Sequence, residues 1–272
     1  MQLQDHLYTQ TTVAGVLDEY IKELLEAGNT ESVMHANKLK SYENMIKDKQ
    51  YIKDLRKLFN ETYDMIEKKH PELQFSIAGR RKSLISVEKK ILQYSALGKS
   101  LDLIRDFYAY RIILFGNDKA VGLVHHCYKV IEDIIDFVAT KGFSPCERLP
   151  LLGVTNLKEH KSPYFSPFKY KQYVKDYICF PKENGYQSIH LVLVDTKGRY
   201  LEIQIRTLDM HAQIQSSDSA NHSNYKETKY KLAFPLEREK ISIYGYSYVN
   251  NKVFDYAGIE EPITIFQRQK TF

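Results

Sequence analysis

The sequence has few cysteines and no long apolar run. Cys127, Cys146 and Cys179 are its only cysteines, and this odd, scattered set gives neither a disulfide framework nor a zinc-finger spacing. No stretch reaches even a dozen uninterrupted apolar residues, so neither a membrane span nor a signal peptide is predicted. We therefore expect a soluble protein of a reducing compartment, the cytoplasm, with no membrane partner.

Glycine-rich phosphate-binding motifs are also missing. The chain contains no P-loop, no dinucleotide-binding glycine fingerprint and no Gly-x-Ser-x-Gly elbow. Side chains must therefore do most of the work of holding any bound phosphate. The net charge of +5 over 272 residues is a mild bias toward phosphate-bearing partners, and it is far below the charge of a DNA-coating protein.

Hydrophobic periodicity predicts an α/β fold, in which a mixed β-sheet is flanked by helices. Helices are predicted at 12–27, 36–70, 120–138 and 208–220, and a further helix opens within 79–90. Strands are predicted at 107–115, 189–194 and 199–206, the last two forming a hairpin, and a second hairpin joins 241–249 to 253–256.

Length and composition indicate one catalytic-size unit with extensions. We expect an N-terminal helical region at 1–74, a main unit at 75–230 and a C-terminal extension at 231–272. Within the main unit, residues 140–174 are rich in glycine and proline and poor in apolar periodicity, so they are predicted to form an irregular insertion.

Polar side chains alternate along the predicted strand 199–206. Glu202, Gln204 and Arg206 fall on one face, and the apolar opposite face indicates a central strand, where a carboxylate needs a cation or a metal. Asp106 stands at the start of another strand, and two carboxylates from neighbouring strands suit Mg²⁺. Asp106 and Arg111 can serve one site only if Asp106 precedes the regular strand or a bulge intervenes.

The histidines are not predicted to bind a metal. His125 and His126 are adjacent, and His211 and His222 stand apart, so none of them matches a familiar zinc spacing. The segment from Lys175 to His190, in contrast, is dense in lysine, asparagine, aromatic and histidine groups. This combination is typical of a nucleotide site.

Four motifs, in this order, resemble the synthetase domain of the RelA/SpoT family, the alarmone pyrophosphokinases. They are Gly79-Arg80-x-Lys82-x-x-x-Ser86-x-x-x-Lys90, Asp106-x-x-x-x-Arg111, Lys175-Asp-Tyr-Ile-x-x-Pro-Lys-x-Asn-Gly-Tyr-Gln-Ser-Ile-His190 and Glu202-Ile-Gln-Ile-Arg-Thr-x-x-Met-His211. The resemblance covers residues 75 to 226, and four ordered motifs are far more specific than any one of them. It implies a nucleotidyltransferase-like synthetase fold for the main unit.

The resemblance also implies a reaction. The β,γ-pyrophosphate of ATP would pass to a ribose 3′-hydroxyl, releasing AMP, with Mg²⁺ as cofactor. Asp106 and Glu202 would be the catalytic, metal-holding pair, and Glu202 would help to deprotonate the attacking hydroxyl. The implied ATP-binding residues are Arg80 and Arg111, which would stack on adenine, and Lys82, Ser86 and Lys90, which would meet the phosphates. The implied acceptor-binding residues are Lys182, Asn184, Tyr186, His190, Gln204 and Arg206, with Tyr186 stacking on the acceptor base.

The acceptor itself stays open at this point. After His211 the chain lacks the Glu and Trp that the family usually shows, and the segment between Arg111 and Lys175 is longer than usual. GDP or GTP is the preferred acceptor, giving (p)ppGpp, and the alternatives are an adenine nucleotide or, in a toxin, the 3′ end of tRNA. The tRNA alternative is motivated by Lys158, Lys161, Lys169, Lys171 and Lys175, which are interleaved with Tyr164, Phe165, Phe168, Tyr170 and Tyr173.

The resemblance further predicts a stand-alone small synthetase, because the hydrolase domain of bifunctional members has no room before residue 75. A homo-oligomer and an antitoxin protein are the macromolecular partners that such a protein would have. A minor alternative is an inactive module that only binds nucleotide, and the presence of both Asp106 and Glu202 argues against it.

Overall fold

The structure is a computed structural model that describes residues 13–82, 84–116, 120–146, 168–216, 253–254, 260–261 and 264–270. These residues divide between two compact units. The helical unit takes its residues from 1–55, 81–107 and 236–265, and the sheet unit takes them from 56–80, 108–235 and 266–272. None of the described helices is long and apolar enough to cross a membrane.

The helical unit is built on amphipathic helices. Its elements are α1 (Val13–Glu26), α2 (Thr30–Lys47), the first turns of α3 (Lys49–Lys69), α4 (Leu84–Ala96), a 3₁₀ turn (Leu101–Leu103) and the short strands β7 (Val253–Phe254) and β8 (Glu260–Glu261). Asn29 caps α2 by accepting a hydrogen bond from the Ser32 amide at 2.9 Å. The apolar core of this unit includes Leu17, Leu39, Tyr42, Val87, Ile91 and Ile104.

The sheet unit contains one mixed sheet. Its strands are β1 (Gln74–Arg81, whose last residue belongs to the helical unit), β2 (Tyr108–Phe115), β3 (Phe143–Pro145), β4 (Val174–Asp176), β5 (Ile189–Asp195), β6 (Tyr200–Thr207) and β9 (Thr264–Lys270, whose first two residues belong to the helical unit). Their order is β3-β5-β6-β2-β1-β9, with β4 beside β5. Strand β6 runs parallel to β2 and antiparallel to β5. Helices α5 (Ala120–Ala139) and α6 (Leu208–Ser216) pack against it.

The two faces of the central strands differ in chemistry. Tyr110 on β2 lies opposite Ile203 on β6, and on this apolar face Phe59 of α3 meets the Tyr110 ring edge-on, with centroids 5.5 Å apart. Neighbouring residues along a strand point to opposite faces. Arg111, which is paired with Gln204, therefore lies on the other, polar face. The predicted mixed sheet, the central position of β6 and the hairpin at 189–206 are confirmed.

Several predicted boundaries were wrong. The helix predicted at 36–70 is two helices, α2 and α3, which meet at Asp48, and α2 begins six residues earlier than predicted. Residues 79–81 end strand β1, in which Phe75 and Ile77 are buried on alternate positions, and the helix predicted to open within 79–90 starts at Leu84. Strand β1 itself was missed.

The predicted insertion and C-terminal hairpin also need correction. Residues 143–145 form β3, which pairs with β5, so the first part of the predicted insertion belongs to the sheet. Residues 147–167 lie outside the described residues. The same holds for 241–249, one arm of the predicted C-terminal hairpin. The described partner of Val253–Phe254 is Glu260–Glu261, and β9, which was not predicted, joins the main sheet beside β1.

Candidate active site

Three arginines converge on the polar face of the sheet unit. Arg80, Arg111 and Arg206 come from the neighbouring strands β1, β2 and β6. Arg206 is only 1% exposed, and the other two are half-buried. Burial lowers the pKa of all three guanidinium groups, and repulsion from Arg80 and Arg206 helps to bring the pKa of Arg111 down to about 9.

A chain of hydrogen bonds fixes the residues around these arginines. The Tyr186 hydroxyl lies 2.8 Å from Nε2 of His190, whose Nδ1 lies 2.9 Å from Oε1 of Glu202. Burial lowers the pKa of His190, so the neutral ring accepts from Tyr186 at Nε2 and donates from Nδ1 to Glu202. Gln204 donates its amide N–H to Oε2 of Glu202 at 2.7 Å and accepts from Arg206 at 3.1 Å. Both oxygens of Glu202 are thereby oriented.

The cluster carries more positive charge than it can balance. Glu202, 8% exposed, is the described carboxylate whose charge acts on Arg111 and Arg206. The buried Nε atoms of Arg111 and Arg206 have no hydrogen-bond partner among the residues that the structure describes. Buried charges are normally paired, so this arrangement suits an incoming anion.

A glycine turn positions Tyr186. Gly185 has φ of +73°, which only glycine adopts readily, and its amide donates to the Lys182 carbonyl at 2.8 Å. Asn184 accepts from the Tyr186 amide at 3.3 Å, so its role here is to shape the loop. The ammonium of Lys182, an exposed residue, lies 4.6 Å from the Tyr186 ring centroid. A cation therefore covers the ring that was predicted to stack on a base.

His211, which was quoted in a motif without a role, belongs to this cluster. It lies on α6, directly after β6. Burial lowers its pKa to about 4, and repulsion from Arg206, Arg111 and Arg80 adds to the effect. His211 is therefore neutral at pH 7, and the charges of the three arginines favour this neutral state.

A second charged cluster lies in the helical unit. Asp106 precedes the regular part of β2. This meets one of the two conditions named above for a site that Asp106 and Arg111 share. Its carboxylate contacts the Lys82 ammonium through Oδ2 and the Lys90 ammonium at 2.7 Å through Oδ1. Burial alone would raise the pKa of Asp106, but the two lysines hold it well below its usual range. In this cluster, both ammonium groups contact the Asp106 carboxylate directly.

Lys38 is a member of this second cluster that sequence reasoning missed. Its ammonium lies 5.4 Å from the Phe107 ring centroid, and burial lowers its pKa, while nearby Asp102 opposes that shift. Nothing in the sequence separates Lys38 from the other lysines of α2. Ser86 lies half-buried in the first turn of α4.

The loop that precedes β5 contains a structural carboxylate. Asp176 is fully buried and accepts from the Tyr128 hydroxyl at 2.7 Å and from the amides of Ile178 and Cys179 at 3.0 Å. It ties the start of the loop to α5, because Tyr128 lies on that helix. The motif beginning at Lys175 therefore combines one residue that holds the loop with others that face the arginine cluster.

Comparison with known proteins gives the family. Residues 158–230 match the region found in RelA / SpoT proteins. The chain carries the RelA/SpoT region. The predicted family is thereby confirmed, and the matched residues include the loop, β5, β6 and His211.

Relatives with RelA/SpoT-type names are longer proteins. The chain is 32% identical over 207 residues to a guanosine-3′,5′-bis(diphosphate) 3′-pyrophosphohydrolase of Spiroplasma citri, covering 76% of this chain and 20% of that protein. It is 30% identical over 182 residues to a GTP pyrophosphokinase of Myxococcus xanthus, covering 65% and 18%. The chain thus spans about a fifth of the length of these curated relatives.

Among solved structures, the chain is similar to small alarmone synthetase 1 from Bacillus subtilis bound to its product pppGpp. The identity is 21%, the TM-score is 0.43, and the match covers 76% of this chain and 97% of that one. A TM-score of this size supports no transfer of individual residues.

Proposed function

We propose that this protein is a nucleotide 3′-pyrophosphokinase that makes (p)ppGpp. The 3′-oxygen of GDP or GTP forms a bond to the β-phosphorus of ATP, the bond between the α,β-bridging oxygen and that phosphorus breaks, and AMP leaves. The match to the RelA/SpoT region supports this reaction, as do relatives named GTP pyrophosphokinase.

The surplus of buried positive charge around Arg80, Arg111 and Arg206 is the observation that carries the proposal. Guanidinium planes stack on bases and bind phosphate oxygens through paired N–H groups. A polyphosphate nucleotide provides both partners. It would also satisfy the Nε atoms of Arg111 and Arg206, which the protein leaves buried. An uncharged substrate would do neither.

Glu202 is the group that we assign to the attacking hydroxyl. One hydrogen bond from His190 and one from Gln204 orient its two oxygens, and a carboxylate oxygen has a second lone pair for a substrate proton. Because His190 is neutral, it forms a hydrogen bond with Glu202 rather than an ion pair. Glu202 would accept the 3′-hydroxyl proton as the oxygen–phosphorus bond forms.

Asp106 and Glu202 have the chemistry of Mg²⁺ ligands. Each is a carboxylate, Asp106 is held in its anionic form, and Mg²⁺ prefers oxygen ligands and needs only one or two carboxylates. That they hold the ion is what the family resemblance implies, and it stays a prediction from the sequence. When bound, Mg²⁺ would neutralise charge on the transferred phosphates. Lys82 and Lys90 would then meet phosphate oxygens.

The described part of the lysine-rich segment does not favour tRNA as the acceptor. Phe168 is buried against Tyr128, the Lys169 amide donates to Glu132 at 2.9 Å, and the Tyr170 hydroxyl donates to Asp136. These contacts fasten residues 168–170 to α5. Lys158, Lys161, Tyr164 and Phe165 lie outside the described residues. The antitoxin, the homo-oligomer and the cytoplasmic location stay predictions from the sequence.

The test is transfer of label from [γ-³²P]ATP in Mg²⁺ buffer, with GDP, GTP, ATP and deacylated tRNA as parallel acceptors. We expect label on GDP and GTP together with an equal amount of AMP, and neither in the Glu202→Gln variant. Label on tRNA alone would replace the guanosine acceptor by tRNA, and label on ATP alone would replace it by an adenine nucleotide. AMP absent with every acceptor would overturn the proposal.

A further inference from the structure

A histidine, a glutamate and a second histidine meet where α3 ends. Among the described residues, His70, Glu72 and His126 are the one group of three ligand-type side chains whose candidate ligand atoms all lie within 4.8 Å of one another. His70 and Glu72 belong to the turn between α3 and β1, and His126 lies on α5. All three belong to the sheet unit.

Glu72 lies equally close to both histidines. Oε1 of Glu72 lies 3.8 Å from Nδ1 of His70 and 3.8 Å from Nδ1 of His126. Ligands in a tetrahedral zinc site with bonds near 2.0–2.1 Å are about 3.3 Å apart. Each Glu72 contact would therefore shorten by roughly 0.5 Å on metal binding, a movement for which the Glu72 side chain, 51% exposed, has room. The two histidine nitrogens, which lie within 4.8 Å of each other, would also approach. The histidine rings are 6.2 Å apart and perpendicular.

The orientation of His70 is set by a carboxylate behind it. Nε2 of His70 lies 2.9 Å from Oδ2 of Asp133, and a hydrogen bond donated from Nε2 leaves the lone pair on Nδ1, toward Glu72. This is the carboxylate–histidine arrangement that commonly supports zinc ligands. His126 and Asp133 are seven residues apart on α5, so they share one helix face. The other oxygen of Asp133 contacts the Lys69 ammonium.

We propose that His70, Glu72 and His126 bind one divalent transition-metal ion of the zinc class. Two imidazoles and one carboxylate match zinc, and they differ from the all-oxygen ligands that suit Mg²⁺. Glu72 is half-exposed, so water has access to the fourth position. The ion would join the turn before β1 to α5 and would stabilise the sheet unit. It has no part in the proposed reaction.

Protonation of His70 is the alternative to a bound metal ion. A protonated His70 would place one N–H on Asp133 and the other toward Glu72, and this pair of contacts would explain the two carboxylates without a metal. His126 distinguishes metal binding from protonation of His70, because its Nδ1 also lies 3.8 Å from Oε1 of Glu72. A metal needs this third ligand, whereas protonation of His70 does not.

The experiment uses full-length protein without a histidine tag, freed of metal by a chelator. Co²⁺ is added and the visible absorption is followed, and Zn²⁺ affinity is then measured by competition with a chromophoric chelator. The variants are Glu72→Gln, a half-exposed position where the fold is preserved, His126→Ala, and Asp133→Asn. His125→Ala is the matched control, since His125 is exposed and immediately adjacent.

We expect one Zn²⁺ per chain, tetrahedral Co²⁺ bands and a rise in Tm with Zn²⁺. Glu72→Gln and His126→Ala should each weaken Zn²⁺ binding by at least about tenfold, and Asp133→Asn by about ten- to a hundredfold. The control should bind as the parent does. Absence of tight Zn²⁺ binding by the parent, or equal affinity in the parent and in both ligand variants, would overturn the proposal.

Discussion

The two charged clusters of this protein are built on opposite principles. In the helical unit, the Asp106 carboxylate forms ion pairs with two lysine ammonium groups. In the sheet unit, Arg80 repels Arg111 and Arg206, Glu202 attracts only the latter two, and two buried guanidinium Nε atoms lack a hydrogen-bond partner among the described residues. The carboxylate of the first cluster is therefore paired in the ligand-free protein. The second is incomplete, which is why we place the nucleotide there.

Loss of either carboxylate should have the largest effect. Glu202→Gln and Asp106→Asn keep the side-chain shape but remove a carboxylate charge that is predicted to bind Mg²⁺ and, at Glu202, proposed to accept the proton. We expect pyrophosphate transfer to fall by about a thousandfold or more in each variant. The measurement is label transfer from ATP, with circular dichroism to check the fold. Glu183→Gln, an exposed carboxylate in the Tyr186 loop, is the control, and a comparable loss there would sink the assignment.

Breaking the balanced cluster should destabilise the protein. Lys82→Met removes one of the two ammonium groups that contact the buried Asp106 carboxylate. We expect the free energy of unfolding of the ligand-free protein to fall by about 2 kcal/mol. Urea unfolding measures it, and an unchanged midpoint would mean that Asp106 is already balanced without Lys82.

The same kind of change in the unbalanced cluster should act in the opposite direction. Arg111→Met keeps an apolar stem and removes a cation that Arg80 and Arg206 repel. The ligand-free protein should therefore gain about 1 kcal/mol of unfolding free energy, while ATP binding weakens. If Arg111→Met were destabilised as much as Lys82→Met in the same urea experiment, the contrast between the clusters would be wrong.

His211 should report the charge of the arginine cluster. Its folded pKa of about 4 lies below the unfolded value of about 6.5. The unfolded chain therefore takes up a proton first, and the contribution of His211 to stability is lost as pH falls from 6.5 toward 4. A bound polyphosphate should raise the His211 pKa by offsetting the arginines. NMR titration with and without a non-hydrolysable ATP analogue measures this, and a pKa that stays the same would place the polyphosphate elsewhere.

The smallest effect is expected at the edge of the site. Lys182→Ala uncovers the Tyr186 ring and removes an exposed cation, so we expect the KM for GDP to change by a few-fold and the KM for ATP to stay the same. Lys197→Ala, an exposed lysine in the β5–β6 turn, is the control. An equal change in both KM values would show that Lys182 does not act on the acceptor alone.

Local patterns allowed much of the site to be predicted. Alternation along 199–206 correctly placed Glu202, Gln204 and Arg206 on one face, because a strand repeats every two residues. The motifs identified the residues that the sheet unit brings together around Arg111. Strand β1 was missed although Phe75 and Ile77 alternate, because the basic residues after them were interpreted as a helix start.

Contacts between distant segments could not be predicted in this way. His70 and His126 are separated by 56 positions, and only the packing of α5 beside the end of α3 brings them together. Strand β9 pairs beside β1 from the far end of the chain, with no local pattern that names its partner. Lys38 likewise joins Asp106 and Lys90 through the packing of the helical unit.

Binding of a non-hydrolysable nucleotide tests the central claim most directly. Titration calorimetry of α,β-methylene-ATP with Mg²⁺ compares the parent with Arg111→Met, and no transfer can occur because the α,β bridge cannot break. The buried surplus of guanidinium charge predicts that the parent binds at least about tenfold more tightly. Equal affinity in the two proteins would contradict the assignment of the arginine cluster to the nucleotide.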